Sequence, residues 1–308
     1  MAKNAAERKV EVNIDQVSFG IEIECAVPRS FVDALGFLVS YSPEPLPAPF
    51  PSGWKVKKDG SVYASNYQDV PMEIVSPVLK GRAGLEEVLE VYRILNAAGF
   101  DVNDTCGLHV HVGVRSVLGE RANDYGLVTR WVRRMLHLVS RHEEALFAIT
   151  GRTSRLHNCY CQSVRKQWDA SLKPTSPITE IEKKADSYGE RFYTLNVTNL
   201  FIAGESKYTV EFRIFGATKE GIQVLGYIVT ALGIAQRAAE VGQVAQFVAT
   251  ETQVTRENCS QLVGELQGVL AHYGWPTGAR KVWGSQVRKV QLASAAKFAD
   301  DLAAGRLS

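Results

Sequence analysis

The chain has 308 residues, of which 45% are hydrophobic and 22% are charged, and its formal net charge is +2. This length is enough for one large domain or two smaller ones, and the composition is that of an ordinary globular protein. A net charge so close to zero gives no sign of a general affinity for nucleic acid or for an acidic membrane, and we expect neither as a partner.

The amino-terminal segment, residues 1–13, is polar and predicts a loose arm or an edge strand. It has no apolar stretch of the kind that a secretory signal needs, so we expect a cytoplasmic location. The most apolar run further along, Gly221 to Ala235, is interrupted by Gln223, Thr230 and glycines. We expect this run to be too short to span a bilayer.

A first stretch with alternating ionisable and apolar side chains lies in a strand predicted from about Val17 to Val27 and ended by Pro28. Because successive side chains of a strand point to opposite faces, Glu22 and Glu24 share one face. The isoleucines between them form an apolar row on the other face.

A short helix and a proline-rich segment come next. Ser30 is expected to cap a helix that carries Phe31, Leu35 and Leu38 on one side. In residues 42–52 alternate prolines favour an extended loop outside any sheet.

Two lysines, Lys55 and Lys57, then share a strand face, and Asp59 with the glycine after it signals a tight turn. Residues 71–77 predict another short strand bounded by prolines. Its carboxylate, Glu73, taken alone, is more often solvated than functional.

A helix predicted over Gly84–Ala98 and stopped by Gly99 leads directly into the second alternating stretch, Cys106–Gly113. In that strand His109 and His111 share one face, and leucine and valine side chains take the other.

A long helix is predicted from about Asp124 to Ala148, with His137 and His142 as surface or capping residues. The charged segment Ser171–Gly189, which prolines interrupt, is typical of a mobile loop or lid.

Strand alternation returns in Arg191–Val197, which places Arg191, Tyr193 and Leu195 on one face. The third charged stretch, Tyr208–Phe215, has one ionisable face. That face carries Glu211 and Arg213. Further helices are predicted near residues 222–232, 261–273 and 286–304.

The chain has five cysteines. Cys159 and Cys161 are closer in sequence than the usual zinc-binding pair and no second pair follows them, which argues against a structural zinc site. Cys25 and Cys106 adjoin the charged strands, where space-filling reduced thiols are the favoured interpretation.

Three strand faces rich in carboxylate and imidazole predict one sheet with a charged concave surface, where buried charge must be paired or must coordinate metal. Carboxylates with imidazole suit Mg²⁺ or Mn²⁺, and an adjacent arginine suits a phosphoryl group. The chain has neither a P-loop nor a Rossmann glycine motif. A nucleotide would therefore have to be held by metals and by the sheet itself.

Six short motifs, in this order, resemble those of the amidoligase family. They are Phe-Gly-Ile-Glu-Ile-Glu (19–24), Lys-Lys-Asp-Gly-Ser (57–61), Met-Glu-Ile-Val-Ser-Pro (72–77), Val-Asn-Asp-Thr-Cys-Gly-Leu-His-Val-His-Val (102–112), Arg-Phe-Tyr-Thr-Leu-Asn-Val (191–197) and Thr-Val-Glu-Phe-Arg-Ile-Phe (209–215). This family belongs to the carboxylate-amine ligases, with glutamine synthetase and glutamate-cysteine ligase. The resemblance covers about residues 17 to 240.

The resemblance implies an α+β protein with a glutamine synthetase-like catalytic fold, in which a curved, mainly antiparallel sheet forms a funnel with helices packed outside. Residues 1–245 are expected to be the amidoligase-like catalytic domain. Residues 246–308, which carry none of the motifs, are expected to form a C-terminal helical extension packed on the same domain.

The resemblance further implies an ATP-dependent ligase that forms an amide or isopeptide bond through an acyl phosphate. Such an enzyme uses ATP and two or three Mg²⁺ or Mn²⁺ ions. Five residues would be metal ligands: Glu22, Glu24, Glu73, His109 and Glu211. His111 and Lys57 would lie towards the nucleotide, and Arg213 would bind nucleotide and stabilise charge on the γ-phosphoryl group. Arg191 is a candidate for phosphate or carboxylate binding, and Asp59 for the incoming amine.

Two alternatives stay open at this point: a metal-dependent hydrolase or oxygenase that uses the His-x-His and carboxylate cluster, and a non-catalytic scaffold of the same fold. The expected partners are a carboxylate substrate and an amine substrate, either small molecules or peptides. A homo-oligomer is possible within the wider superfamily.

Overall fold

The computed structural model describes residues 10–165, 191–200, 208–241 and 253–306. Within these ranges eight strands form one sheet, and every strand pair in it is antiparallel. The strands are β1 (Ser18–Pro28), β2 (Glu44–Pro45), β3 (Lys55–Lys57), β4 (Asp69–Val75), β5 (Leu79–Lys80), β6 (Gly107–Gly113), β7 (Leu195–Asn196) and β8 (Thr209–Gly216).

Seven α-helices accompany these strands in the part of the chain that the structure describes. They are α1 (Arg29–Leu35), α2 (Gly81–Ala98), α3 (Val114–Leu118), α4 (Tyr125–Ala148), α5 (Gly221–Glu240), α6 (Cys259–Val269) and α7 (Ala279–Ala303). Short 3₁₀ turns occupy Ile14–Gln16, Gly119–Asn123, Thr153–His157 and Thr198–Leu200.

The strands lie in the order β2-β3-β4-β1-β6-β8-β7, and β5 pairs with β1 beside this path. The strand that begins the sheet in sequence, β1, is therefore near its middle, between β4 and β6. The predicted mixture of helices with a curved antiparallel sheet is confirmed at this level.

One face of the sheet is apolar and is covered by helices. Its rows from β1, β6 and β8 are almost fully buried; they comprise Ile21, Ile23, Leu108, Val110, Val112, Val210, Phe212 and Ile214. The ring of Phe215 stacks on Tyr227 of α5 at 4.5 Å, and the indole of Trp131 in α4 donates a hydrogen bond to the Ala235 carbonyl of α5. Because helices occupy this face, the charged side chains are left on the opposite one.

Helix α5 is the central helix of this layer. It has 20 residues and, among the described residues, is the one helix long and apolar enough to cross a membrane. The helix continues past Ala235, where the predicted run ended, so the prediction that this segment is too short to span a bilayer was wrong. However, 89% of its apolar window is buried inside the structure, and its Gln223 amide donates to the carbonyls of Ile149 and Thr150 and to Ser294 of α7.

The sequence around β7 is fastened to α4 by one buried carboxylate. Glu143 accepts hydrogen bonds from the Ser163 hydroxyl, the Val164 amide and the Thr194 hydroxyl. Burial raises the pKa of Glu143, and these donors oppose that shift. This anchor sets the position of β7 at the edge of the sheet.

Two local predictions near β1 were wrong. Helix α1 begins directly after Pro28 with no side-chain cap, so Ser30 is not its cap, and Leu38 lies beyond its end and is exposed. The proline-rich segment also supplies β2, whose Pro45 pairs with Lys55. Proline is tolerated there because β2 is an edge strand.

Two predicted surface histidines are in fact buried. His137 and His142 are each less than a tenth exposed in α4, and burial lowers the pKa of His142 to about 4. The prediction was wrong because other helices cover more of α4 than one apolar stripe, a tertiary effect that periodicity does not show.

The strand predicted over Arg191–Val197 is only two residues long, and Leu195 points into the core rather than sharing a face with Arg191. The predicted lid, Ser171–Gly189, lies outside the described residues. Helix α7 packs on α5, since its Val287 and Gln291 approach Gly226.

Gly84 lets α2 approach the sheet closely, because a β-carbon there would lie 2.9 Å from Leu79 Cβ and 3.1 Å from the Phe19 ring. We expect Gly84→Ala to destabilise the fold by about 1–3 kcal/mol through overpacking. The matched control is Gly264→Ala in α6, where nothing lies within 4 Å. This control should be stabilising by about 0.5–1 kcal/mol because alanine favours a helix. Urea unfolding measures both, and equal shifts would contradict the close approach.

Candidate functional site

A cleft of about 840 Å³ lies against the charged face of the sheet. All ten residues that the sequence singled out line it: Glu22, Glu24, Lys57, Asp59, Glu73, His109, His111, Arg191, Glu211 and Arg213. Residues more than 190 positions apart in the chain thus meet in one place.

Strand register explains this convergence. Glu22 stands opposite His109 across β1 and β6, and His111 stands opposite Glu211 across β6 and β8. On the other side of β1, Glu24 stands opposite Glu73. Residues directly opposite in antiparallel strands have close side chains, so the alternating patterns of separate strands combine into one polar surface.

A first cluster consists of Glu22, His111 and Glu211, each of which offers an atom within 4.8 Å of the others. His111 Nε2 lies 3.2 Å from Glu22 Oε1. Burial raises the pKa of Glu22, but His111 and His109 outweigh burial and hold that pKa well below its ordinary value. Glu22 is therefore a carboxylate at neutral pH.

Glu211 is fixed from two sides. Arg213 Nη1 lies 2.5 Å from its Oε1, and the Asn196 side-chain amide donates to its Oε2 at 2.7 Å. Burial raises the pKa of Glu211, yet Arg213 and the two histidines bring it below the ordinary value. The amide of Asn196 must face Glu211, because the backbone N–H and hydroxyl of Thr198 both donate to its carbonyl oxygen.

A second cluster consists of Glu24, Asp59 and Glu73. Lys57 Nζ lies 2.9 Å from Glu73 Oε1, and Glu73 is 4% exposed. Burial and repulsion from Glu22 raise the pKa of Glu73 to about 8, although Lys57 opposes this. Without a further cation, Glu73 is therefore mostly protonated at neutral pH.

His109 lies between the two clusters. Its Nδ1 is 3.2 Å from Glu22 and 3.4 Å from Glu211, and its Nε2 is 3.5 Å from Glu24. One imidazole therefore contacts carboxylates of both clusters, which makes the site continuous rather than two separate pockets.

Gly107 supports Glu24 through its backbone. Its N–H donates to Glu24 Oε2 at 2.5 Å, and a β-carbon at this position would lie 3.1 Å from Glu24 Oε2 and from His109 Nε2. A side chain here would require one or both of these groups to shift by a few tenths of an ångström.

Residues that sequence reasoning missed complete the wall around Arg213. Its Nε donates to the Tyr160 carbonyl, and its guanidinium lies 6.0 Å from the centroid of the Phe192 ring. Asn196 and Arg155 also line the cleft. Asn196 lies in the motif 191–197, but strand alternation placed it on the face opposite to Arg191. Arg155 lies in no motif that the sequence analysis identified.

The donor set fits divalent cations. Glu22, Glu24, Glu73 and Glu211 are each less than a tenth exposed. Burying several carboxylates together is unfavourable unless cations compensate them, and carboxylate oxygens with imidazole nitrogens are ligands for Mg²⁺ and Mn²⁺. The raised pKa of Glu73 shows that the charged side chains of the described protein compensate the cluster only partly.

Comparison with known proteins shows similarity to a protein family and to solved structures. A family model described as "Putative amidoligase enzyme" matches residues 15–235. A solved bifunctional glutathione synthetase from Pasteurella multocida aligns with 95% of this chain, at a TM-score of 0.45 and 13% sequence identity. The chain spans about half, 49%, of the length of that protein. No curated protein matches the chain.

The titration of Glu73 should be visible in stability. Because its pKa is about 8 in the folded chain and about 4.3 in an unfolded one, the folded chain binds more protons between these values. Stability therefore falls as the pH rises through this window. Glu73→Gln lacks this titration. The free energy of unfolding of the variant minus that of wild type should therefore increase by about 2–4 kcal/mol between pH 5 and pH 8.

This difference is measured by urea unfolding in the presence of a chelator. The control is Glu90→Gln, a half-exposed residue of α2 whose lowered pKa acts only in acid. Parallel profiles for Glu73→Gln and wild type over this range would contradict the raised pKa.

Proposed function

The chain belongs to the amidoligase family, and on this premise we propose that it is an ATP-dependent carboxylate-amine ligase that forms an amide bond through an acyl phosphate. The observation that carries the proposal is the meeting of four buried glutamates, two buried histidines and Arg213 on one sheet face. Such a surface suits metal-bound phosphate better than a single-metal hydrolytic site, which needs fewer carboxylates.

In this proposal the two clusters hold separate ions. Glu22, His111 and Glu211 would bind one Mg²⁺ or Mn²⁺, and Glu24 and Glu73 would bind another, with His109 placed to reach either. When bound, these ions neutralise charge on the phosphate oxygens of ATP.

The nucleotide phosphates would lie towards the basic side of the cleft. Arg191 and Arg213 are held at 4.7 and 6.0 Å from the centroid of the same ring, Phe192. Guanidinium groups form bidentate contacts with phosphate, and an aromatic surface limits their motion. We assign γ-phosphoryl stabilisation to Arg213, phosphate or carboxylate binding to Arg191, and nucleotide contacts to His111 and Lys57.

The incoming amine is assigned to Asp59, at the end of the cleft where Lys57 pairs with Glu73. Burial raises the pKa of Asp59, but hydrogen bonds from Ser61 bring it below the ordinary value, so this carboxylate is charged at neutral pH. A charged, half-buried carboxylate attracts an ammonium group and accepts its proton as the nitrogen becomes nucleophilic.

The reaction then has two steps. A substrate carboxylate oxygen attacks the γ-phosphorus and displaces ADP, which gives an acyl phosphate. The amine attacks the acyl carbon, phosphate leaves, and the amine proton passes to a carboxylate of the cleft. The protein contributes orientation and fixed charge rather than a covalent intermediate of its own.

We further propose that the sheet is the funnel of a glutamine synthetase-like catalytic fold formed by residues 1–245, with 246–308 as a helical extension. The antiparallel order around β1 and the helices on one face support this assignment. A cytoplasmic location accords with the use of ATP.

The direct test uses hydroxylamine as the amine. Purified protein with ATP, Mn²⁺ and a panel of amino acids and short peptides should release ADP and form a hydroxamate only when a suitable carboxylate is present. Turnover of panel compounds that needs Mn²⁺ but not ATP would favour the hydrolase or oxygenase alternative. Neither ADP nor hydroxamate across the panel would favour a non-catalytic scaffold.

Loss of one cluster carboxylate should weaken nucleotide binding. In Glu211→Ala the first cluster loses an oxygen ligand and Arg213 loses its partner, so Mn²⁺-dependent ATP binding should weaken at least about tenfold, or about 1.4 kcal/mol. Calorimetry measures binding, and circular dichroism should show an intact fold. Glu90→Gln on α2 serves as the surface control, and unchanged binding in Glu211→Ala would contradict the assigned role.

A further inference from the structure

Arg155 fills a slot formed by two facing glycines. Gly107 of β6 pairs with Gly216 of β8. A β-carbon on Gly216 would lie 3.6 Å from the Arg155 Cγ and Cδ atoms, and one on Gly107 would lie 3.5 Å from its Nη1. The Arg155 side chain, which comes from the 3₁₀ turn Thr153–His157, therefore passes directly over bare backbone at the end of β8.

The slot lies beside an irregularity in β8. Leu108 pairs with Phe215, whereas Val110 pairs with Phe212, so β8 has one residue more than β6 over this interval. Such a bulge bends a strand and redirects its side chains. The extra residue falls at Arg213 and Ile214, where Arg213 enters the cleft.

Arg155 binds this bulge with two nitrogens. Its Nη2 donates to the Arg213 carbonyl at 2.5 Å, and its Nε makes a longer contact with the Ile214 carbonyl at 3.5 Å. A planar guanidinium can reach two neighbouring carbonyls at once, which the single ammonium of lysine cannot copy.

Arg155 is a buried charged residue, and closing the bulge does not by itself require a charged side chain. Its side chain is 2% exposed and lines the cleft, and no carboxylate of the described ranges lies within ion-pairing distance, 4.0 Å. Burying an arginine without an acidic partner is unfavourable. A neutral side chain could close the bulge with less desolvation, so the retained charge points to a role at the site.

We propose that Arg155 is a positioning residue that fixes the direction of Arg213 by closing the β8 bulge. Arg213 is also held by Glu211 and by the Tyr160 carbonyl, and Arg155 sets the backbone from which those contacts are made. The functional part of this inference rests on the proposed phosphate-binding role of Arg213. The structural part does not, and the two are tested separately.

The structural test is spectroscopic and needs no ligand. The Arg213 Nε–H donates to the Tyr160 carbonyl at 3.2 Å and should give a distinct ¹⁵N–¹H resonance, assigned by its loss in Arg213→Lys. Arg155→Lys should shift or broaden this resonance. Arg152→Lys is the matched control: Arg152 precedes the same turn and packs on the same glycine, but it pairs with Asp104 outside the cleft. An unmoved Arg213 resonance in folded Arg155→Lys would overturn the proposal.

The functional test is a double-mutant cycle on Mn²⁺-dependent ATP binding. Arg155→Lys should weaken binding about tenfold, and adding it to Arg213→Met should cause little further loss, because coupled residues are not additive. Additive losses would overturn positioning through Arg213. If wild type binds no ATP, the proposed function fails while the resonance test still decides the role of Arg155. Should Arg155→Lys not fold, Arg155→Met keeps an unbranched stem over the glycines but removes both nitrogens that reach the carbonyls, and it should move the same resonance.

Discussion

The structure depends on placing buried negative charge on one face of a sheet whose other face forms the core. Glu22 and Glu24 on β1 are flanked by isoleucines that point into the helical layer, so the carboxylates cannot turn away from one another without breaking the core. His109 contacts carboxylates of both clusters, and Lys57 and Arg213 each neutralise one side chain at either end. The polar surface is thus preorganised by apolar packing on the reverse side of the same strands.

This arrangement also explains which features lower the stability of the isolated fold. Glu73 is forced towards its neutral form by burial and by Glu22, and Gly107 lies where an added β-carbon would crowd Glu24 and His109. Both features weaken the isolated fold, and both serve the geometry of the carboxylates. Unfavourable charge concentrated at one place in an otherwise consistent sequence is typical of functional sites.

Much of the site could be predicted from sequence because a strand has a period of two. Alternation alone placed Glu22 with Glu24, His109 with His111, and Glu211 with Arg213, and register then brought the pairs together. The same reasoning failed where regular alternation stops. β7 is too short for its pattern to define a face, so Asn196 was missed, and Arg155 acts through a bulge that depends on the pairing of distant strands. His137 and His142 were misplaced for a related reason, since burial of α4 is decided by helices that follow it in the chain.

The pairing of β6 with β8 has a consequence for how the protein is made. About a hundred residues separate these strands, so the ribosome must deliver the whole of β8 before β6 acquires its second neighbour. Until then a nascent chain can pair β1 with β4 and β6, but it lacks both Glu211 and Arg213. Long-range pairing of this kind forms slowly and leaves an open strand edge in the meantime. Chains released before Thr209 would carry the histidines and three of the four glutamates on an unfinished sheet, and this makes premature termination in that interval a source of aggregation rather than of partial activity.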